Sequence, residues 1–425
     1  MTELDQKQHK IFYGWWIVGA LFIIAAYTAG IAFFCFTAIL DPIASEFGWS
    51  YAQISFAASL RGIESGILSP LIGWLIDRMG PRKLLVAGIA VAGAGLFLLS
   101  QVNSLAAFYG TFFLISIGLS SSTNVMTMTV VGYWFRRKVS IATGIVVSGT
   151  ACGGLLVPLV TQLIDTYGWR MAMTIVAIGA IVVLIPLSLF VRHKPEQYGY
   201  LPDGDTPVDH ASETDRPIEQ DSDADIDVKQ VVKGRIFWQI GIAAACHLLV
   251  VNAMITHVMP YLNTTGIARS LSSLVASTIP VVSILGRLSF GWFGDRFDKR
   301  WTMAAGFALL SISMLLFNAV ASTGRWLIIP FIILCGFGYG GPIPLLAGIV
   351  REYFGRKRLG TILGFVMGVM LLGSIIGPPM AGWIFDTSGS YRGAWLACAG
   401  IAAAGLISIV TIPAKNDEIK TSYSV

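Results

Sequence analysis

Charge is scarce in this sequence: Asp, Glu, Lys and Arg together make up 12% of its 425 residues, about half of the ~25% of an ordinary soluble domain. A soluble fold could not hide a chain that is 55% apolar beneath so little charge. Cysteine scaffolding is excluded too. Cys35, Cys152, Cys246, Cys335 and Cys398 all stand inside apolar runs, and none forms a Cys-x-x-Cys pair, so neither a disulfide framework nor a zinc site is indicated. The sequence carries no metal-ligand cluster, activated nucleophile or phosphate-binding loop, so neither enzyme chemistry nor a cofactor is expected. The formal net charge of +5 does not signal nucleic-acid binding, because Lys and Arg fall in short clusters between apolar runs rather than along one face.

Long apolar runs are plentiful. A span needs about 20 apolar residues to cross roughly 30 Å of hydrocarbon, and the runs place helices at about 13–39, 52–76, 84–102, 105–134, 139–164, 170–191, 236–263, 271–294, 302–321, 326–352, 359–385 and 391–413. The first run, from about Tyr13 to Leu40, is too long for a signal-peptide core and lacks a cleavage pattern, so it is kept as the first span. With the amino terminus in the cytoplasm, 23 of the 29 Lys and Arg residues fall in cytoplasmic segments. Four fall outside (Arg170, Arg269, Arg325, Arg392) and two lie within helices (Arg61, Arg287). Positive residues are held on the cytoplasmic side, so an even number of spans with both termini inside satisfies every short loop.

The stretch from about His193 to Arg235 differs in kind. Between Glu196 and Asp227 it carries eleven of the 24 acidic residues, with Arg216 as the one basic residue. Such like-charge density cannot offset ordering entropy, so a mostly disordered spacer is expected there. On either side the chain repeats. Gly73-Trp74-Leu75-Ile76-Asp77-Arg78-Met79-Gly80-Pro81-Arg82-Lys83 returns, shifted by 218 residues, as Gly291-Trp292-Phe293-Gly294-Asp295-Arg296-Phe297-Asp298-Lys299-Arg300. Tyr133-Trp134-Phe135-Arg136-Arg137-Lys138 with Gly144 returns, shifted by 220, as Tyr353-Phe354-Gly355-Arg356-Lys357-Arg358 with Gly364. Two motifs at nearly one spacing indicate a duplication. The predicted architecture is an all-α membrane protein of twelve transmembrane helices in two pseudo-symmetric six-helix bundles, 1–192 and 236–425, joined by an acidic cytoplasmic linker, 193–235.

The pattern from Gly73 to Lys83 resembles the signature loop of the major facilitator superfamily, and its degenerate copy at Gly291 to Arg300 stands where that family has one. The resemblance covers almost the whole chain. It implies that Gly73, Asp77, Arg78 and Arg82, with Asp295 and Arg296, form charge networks beside cytoplasmic arginines that latch the halves in the outward-open state. Two further stretches look like the monocarboxylate transporter family, of which this chain reads as a bacterial homologue. Tyr13-Gly14-Trp15-Trp16 is similar to that family's opening of helix 1, and Tyr133 to Lys138, followed by Ala142 and Gly144, resembles its approach to helix 5. The Gly-Pro-rich helix 5 motif of drug-efflux antiporters is absent from Gly144 to Gly154.

Arg287 lies one turn before Gly291, and a charge at that depth costs several kcal/mol unless it faces a wet cavity or a partner. The monocarboxylate family has a substrate-binding arginine in this helix, and a guanidinium grips a carboxylate through two parallel hydrogen bonds; a backbone carbonyl or the membrane edge is its other possible partner. This sequence departs from the family in having Ser283 one turn before Arg287 rather than aspartate, and no lysine in the first span. Both belong to proton coupling in that family, which leaves His257, His247 and Glu64 as proton-coupling candidates. His257 precedes Pro260 and can titrate or donate to a carboxylate, or be a satisfied interfacial histidine. Arg61 and Glu64, three residues apart, share a face, so an intrahelical ion pair and a substrate-and-proton role both stand open. Asn124 and Tyr339, on repeat-related spans, could bond a substrate carboxylate or join helices.

The expected function is secondary active transport of a small organic anion by alternating access, foremost proton-coupled symport of a lactate-like monocarboxylate. Its partners would be the carboxylate, the proton and the lipid bilayer of a bacterial inner membrane, with the chain acting as a monomer. Two alternatives remain open. One is an organic-anion exchanger of the oxalate:formate type, although that family's helix 11 lysine has no counterpart between Gly360 and Asp386. The other is a non-transporting sensor.

Overall fold

The computed structural model describes residues 12–31, 36–122, 124–204 and 228–413. Hydrocarbon offers no water to backbone N–H and C=O groups, so each crossing segment satisfies them internally, as helix. The first bundle contains α1 (Tyr13–Ala29), α2 (Phe36–Phe47), α3 (Tyr51–Met79), α4 (Pro81–Leu99), α5 (Leu105–Ser120), α6 (Asn124–Trp134), α7 (Val139–Cys152), α8 (Leu156–Gly179) and α9 (Ile185–Phe190). A short α10 (Val228–Lys233) leads into the second bundle. That bundle contains α11 (Arg235–Thr264), α12 (Arg269–Arg296), α13 (Lys299–Thr323), α14 (Ile328–Gly340), α15 (Pro342–Phe354), α16 (Leu359–Ser388) and α17 (Arg392–Val410).

These elements make twelve spans. Among the described residues nine helical stretches are long and apolar enough to cross a membrane unaided; the other three spans are α1 with α2, α3, and α7 with the start of α8. Local chemistry sets the boundaries. Ser50 and Gln53 form a reciprocal cap at the start of α3, with the Gln53 N–H donating to Ser50 Oγ at 3.2 Å and the Ser50 N–H to Gln53 Oε1 at 2.9 Å. Gly80, at φ 82°, ends α3, and Pro81 opens α4. A kink at Gly168, φ 77° and ψ 158°, divides the fifth span from the sixth within α8.

Two features differ from the sequence expectation. The first span does not stop near residue 39, because the chain is helical from Phe36 to Phe47 with Pro42 inside. Ile39 and Ile43, one turn apart, are buried while Glu46 is exposed, an amphipathic stretch that a count of apolar residues ends too early. Nor is the first part of the linker a solvated spacer. Residues 193–204 turn twice in 3-10 form, Pro195–Tyr198 and Pro202–Gly204, and pack on the bundles; residues 205–227 lie outside the described residues.

Helices in lipid gain little from apolar contact and associate through close packing of small residues. Between the bundles this happens at one end, the end that carries the linker. A Cβ on Gly73 of α3 would lie 2.6 Å from the Gly360 carbonyl carbon of α16, and one on Gly144 of α7 would lie 2.6 Å from the Arg287 carbonyl oxygen of α12. Glycine alone permits both crossings. The two crossings are related by the internal repeat, Gly291 of α12 lying against Ser140 of α7 as Gly73 lies against Gly360, so the bundles meet on that face with twofold pseudo-symmetry.

Candidate functional site

Each crossing is closed by a carboxylate from one bundle seated on a helix start of the other. Asp77 accepts the Gly360 N–H at 3.1 Å, the Thr361 N–H at 2.8 Å and the Thr361 hydroxyl at 2.6 Å, all at the first turn of α16. The buried Tyr133 hydroxyl also donates to Asp77. In the other half, Asp295 accepts the Ser140 N–H at 2.8 Å and the Ile141 N–H at 2.9 Å, at the first turn of α7. A helix start has free N–H groups and the positive end of the macrodipole, so a carboxylate is held there without a counter-ion.

That arrangement corrects the expectation of an arginine-based latch. The guanidinium of Arg78 lies 5.1 Å over the Trp74 ring and that of Arg296 lies 3.9 Å over the Trp292 ring, while Arg82 is exposed. These cations point outward, and the carboxylates point across the junction. A buried cation that sequence reading missed also spans it: Arg351 of α15 donates to the Phe135 carbonyl of the first bundle. In the sequence it stands at the end of its span, where nothing separates it from the loop charges that follow.

Arg287 lies at the heart of the second crossing and is 4% exposed. Its Nη1 donates to the Val147 carbonyl at 2.9 Å and reaches the Thr150 hydroxyl at 3.4 Å, both on α7. Its guanidinium stands 5.6 Å from the centre of the Tyr339 ring. One edge of the fork is therefore engaged with the opposite bundle. The Nε–H is buried and has no hydrogen-bond partner among the described residues. A buried donor left unmade costs about 1–3 kcal/mol, more when charged, so an acceptor reaching the Nε edge would be stabilising there. Ser283, one turn before, is fully buried and donates to the Pro280 carbonyl at 2.6 Å, so it replaces the family's aspartate with a group satisfied within its own helix.

The structure brings Arg287, Tyr339 and His247 together and sets His257 apart. His247 is 1% exposed, and its Nε2–H donates to the Gly338 carbonyl at 3.2 Å, next to Tyr339. His257 lies ten residues on, about 15 Å further along α11. Its Nε2 is 3.0 Å from the Pro378 carbonyl of α16 and its Nδ1 is 3.1 Å from the Tyr391 hydroxyl. The carbonyl fixes the proton on Nε2, so neutral Nδ1 accepts from Tyr391; a second proton on Nδ1 would turn that hydroxyl into the acceptor. Both contacts survive a change of charge. Asn124 is half-buried at the first turn of α6. Arg61 and Glu64 fall on α3, but their side chains lie outside the described residues.

Two pseudo-symmetric helical bundles joined at one face, with a buried and partly unsatisfied arginine at the junction, define a polytopic membrane transporter. The chain belongs to the Major Facilitator Superfamily, whose family profile matches residues 20–277 and 252–424. It is 25% identical over 411 residues to monocarboxylate transporter 12-B of Danio rerio, covering 89% of this chain and 82% of that protein. It is 24% identical over 427 residues to monocarboxylate transporter 13 of Rattus norvegicus, covering 94% and 89%. Among solved structures its fold is similar to a proton:xylose symporter, with a TM-score of 0.75, 14% identity and coverage of 94% and 96%. It is also similar to the human organic anion transporter MFSD10, with a TM-score of 0.70, 13% identity and coverage of 93% and 99%.

Proposed function

We propose that this transporter carries a small monocarboxylate, of lactate size, together with a proton, and that Arg287 binds the carboxylate. The observation that carries the reading is the buried Nε–H without a partner. A carboxylate arriving on that edge would add charge-assisted hydrogen bonds to a guanidinium already positioned by Val147 and framed by Tyr339. The resemblance to monocarboxylate transporters over nine-tenths of the chain supports the same substrate class.

Arg287 bridges the bundles through its other edge, so substrate binding and bundle contact share one side chain. A carboxylate that draws the guanidinium from Val147 would loosen the α7–α12 crossing, which is how binding would favour alternating access. Proton coupling follows from charge. Moving an anion against a negative interior costs ~2.3 kcal/mol per 100 mV, and a co-moving proton cancels it. His257, satisfied in both protonation states, is the proposed proton site. Asn124 and Tyr339 are proposed substrate contacts, and the Asp77 and Asp295 seats are proposed to hold the outward-open state. The basic loops beside them support a linker face and both termini in the cytoplasm.

Uptake of labelled lactate into proteoliposomes, with and without an imposed pH gradient, tests the proposal. Accumulation driven by an acid exterior is expected. Uptake indifferent to the gradient would remove proton symport, and uptake seen only in vesicles preloaded with an organic anion would replace symport by exchange.

A further inference from the structure

We propose that the first twelve residues of the linker, 193–204, form a strap that belongs to the first bundle and hooks the second bundle through Glu196, adding a second lock to the closed linker face. The inference does not rest on the identity of the substrate.

Several independent contacts seat the strap on the first bundle. The Trp134 Nε1–H donates to the carbonyls of Arg192 at 3.1 Å and His193 at 3.2 Å. The Asp203 carboxylate accepts the N–H groups of Arg136 at 2.9 Å and Arg137 at 2.7 Å, in the turn before α7. Tyr200 stacks on Tyr13 of α1 with the ring centres 6.1 Å apart and the planes at 21°. The Asp203 carboxylate is therefore seated on the bundle rather than solvated, its side chain only 3% exposed.

Glu196 reaches the other way. Its two oxygens take Nη1 and Nη2 of Arg356 at 2.5 and 2.7 Å, a fork pairing with the residue two places before Arg358, the residue that precedes α16. Exposed ion pairs are worth little. This one is bidentate, and its Arg356 side chain is only 13% exposed. Partial burial pushes the Glu196 carboxyl up, but the Arg356 bonds, its own backbone N–H and Lys194 together hold the group below its usual range.

The hook and the Asp77 seat share a residue. The Arg356 guanidinium stands 5.9 Å from the centre of the Tyr133 ring, and Lys194 of the strap stands 5.4 Å from the same ring. The Tyr133 hydroxyl donates to Asp77, which holds the first turn of α16. Both locks also grip one segment of the second bundle, Arg356 to Thr361. When the bundles part on this face, Asp77 leaves Thr361 and Glu196 leaves Arg356 together. The strap, anchored by Asp203 and Tyr200, stays with the first bundle.

The test uses the full chain in lipid nanodiscs without substrate, spin-labelled through Lys83→Cys and Phe297→Cys, both exposed on the linker face of opposite bundles, after replacement of the native cysteines. Glu196→Gln, at a half-exposed position, should raise the open-face population about fivefold. Glu213→Gln, the same loss of charge further along the linker, should leave it unchanged. Asp77→Asn combined with Glu196→Gln should shift it by less than the product of the single effects, because both act through one segment. An unchanged distance distribution in Glu196→Gln, an equal shift in Glu213→Gln, or multiplicative effects would each overturn the proposal.

Discussion

Replacing Gly73 by alanine should drive the transporter toward the state open on its linker face, and the size of the effect can be worked from one crossing. The added Cβ would meet backbone, lying 2.6 Å from the Gly360 carbonyl carbon and 3.1 Å from Thr361 Cα, where real Cβ atoms essentially never approach within 3.0 Å. No side chain can swing away, so α3 and α16 must part by roughly 0.5–1 Å. The Asp77 bonds to Gly360 N, Thr361 N and Thr361 Oγ1, now 2.6 to 3.1 Å, would lengthen beyond useful range together. Hydrogen bonds to a charged group are worth ~1.5–3 kcal/mol each. Water at the membrane edge recovers much of that, so a net loss of about 2–4 kcal/mol is expected. Where the bundles are apart the same methyl touches nothing, so the loss falls on the closed state alone. A ratio change of roughly 30- to 1000-fold follows. Distance measurements between labels at positions 83 and 297 would read it. Gly19→Ala, whose Cβ meets nothing within 4 Å, is the control. A distribution identical in Gly73→Ala and the parent would refute the packing argument.

Other perturbations test separate parts of the structure. On the opposite face Arg170 binds Glu46 at 2.7 Å and the carbonyls of Ser100 and Val102 at 2.8 and 2.9 Å. Arg170→Ala should cost about 1 kcal/mol after allowance for its exposure, seen as a lower thermal midpoint; an unchanged midpoint would remove that clamp. Burial raises the Glu196 carboxyl, but the Arg356 bonds, its own backbone N–H and Lys194 together hold it below its ordinary 4.5, so the pair's contribution is full above pH 4.5 and is lost as pH falls through the lowered value. The rise of the open-face population under acid conditions should therefore be smaller in Glu196→Gln than in the parent, the remainder coming from the Asp77 and Asp295 carboxylates. His193 is lowered from its ordinary 6.5 to about 4, by burial first and then by Lys194 and Arg356, so thermal stability should decline as pH falls from 6.5 toward 4. His193→Gln should flatten that slope, and an equal slope in the variant would assign it elsewhere. His257→Gln keeps a donor for the Pro378 carbonyl but cannot titrate. It should abolish gradient-driven accumulation while leaving exchange between two anion pools; retained accumulation would clear His257 of proton coupling.

The duplicated motifs make much of the fold legible in the sequence itself. Gly73 and Gly291 recur because each half must present a backbone-close crossing, and apolar runs long enough to span a bilayer have few other destinations. What the motifs do not reveal is the partner of each carboxylate. Asp77 and Asp295 stand in arginine-rich loops, and charge counting pairs them with those arginines. The actual partners are amides of Gly360, Thr361, Ser140 and Ile141, which are invisible to composition because every residue except proline has an N–H. The signal is nonetheless present in the second repeated motif, since Tyr133 to Lys138 and Tyr353 to Arg358 mark the two helix starts that the carboxylates occupy. The strap is hidden for a similar reason: Glu196 and Asp203 resemble the acidic residues that follow, and only tertiary placement gives them Arg356 and the Arg136 and Arg137 amides. Arg287 is legible because an unpaired charge inside a span demands an explanation from energy alone. Its bond to Val147, from a helix 140 residues away, is not.

The measurement closest to the central claim is the binding of lactate and of its uncharged amide to the purified transporter, compared in the parent and in Arg287→Lys by thermal shift. A ligand at 100 times its Kd stabilises by ~2.7 kcal/mol, well within reach of the method. Lactate should raise the thermal midpoint and the amide should not, and Arg287→Lys, which keeps the charge but loses the fork and the Nε donor, should weaken lactate at least about tenfold. Equal stabilisation by acid and amide, or unaltered lactate binding in Arg287→Lys, would contradict a carboxylate held by Arg287.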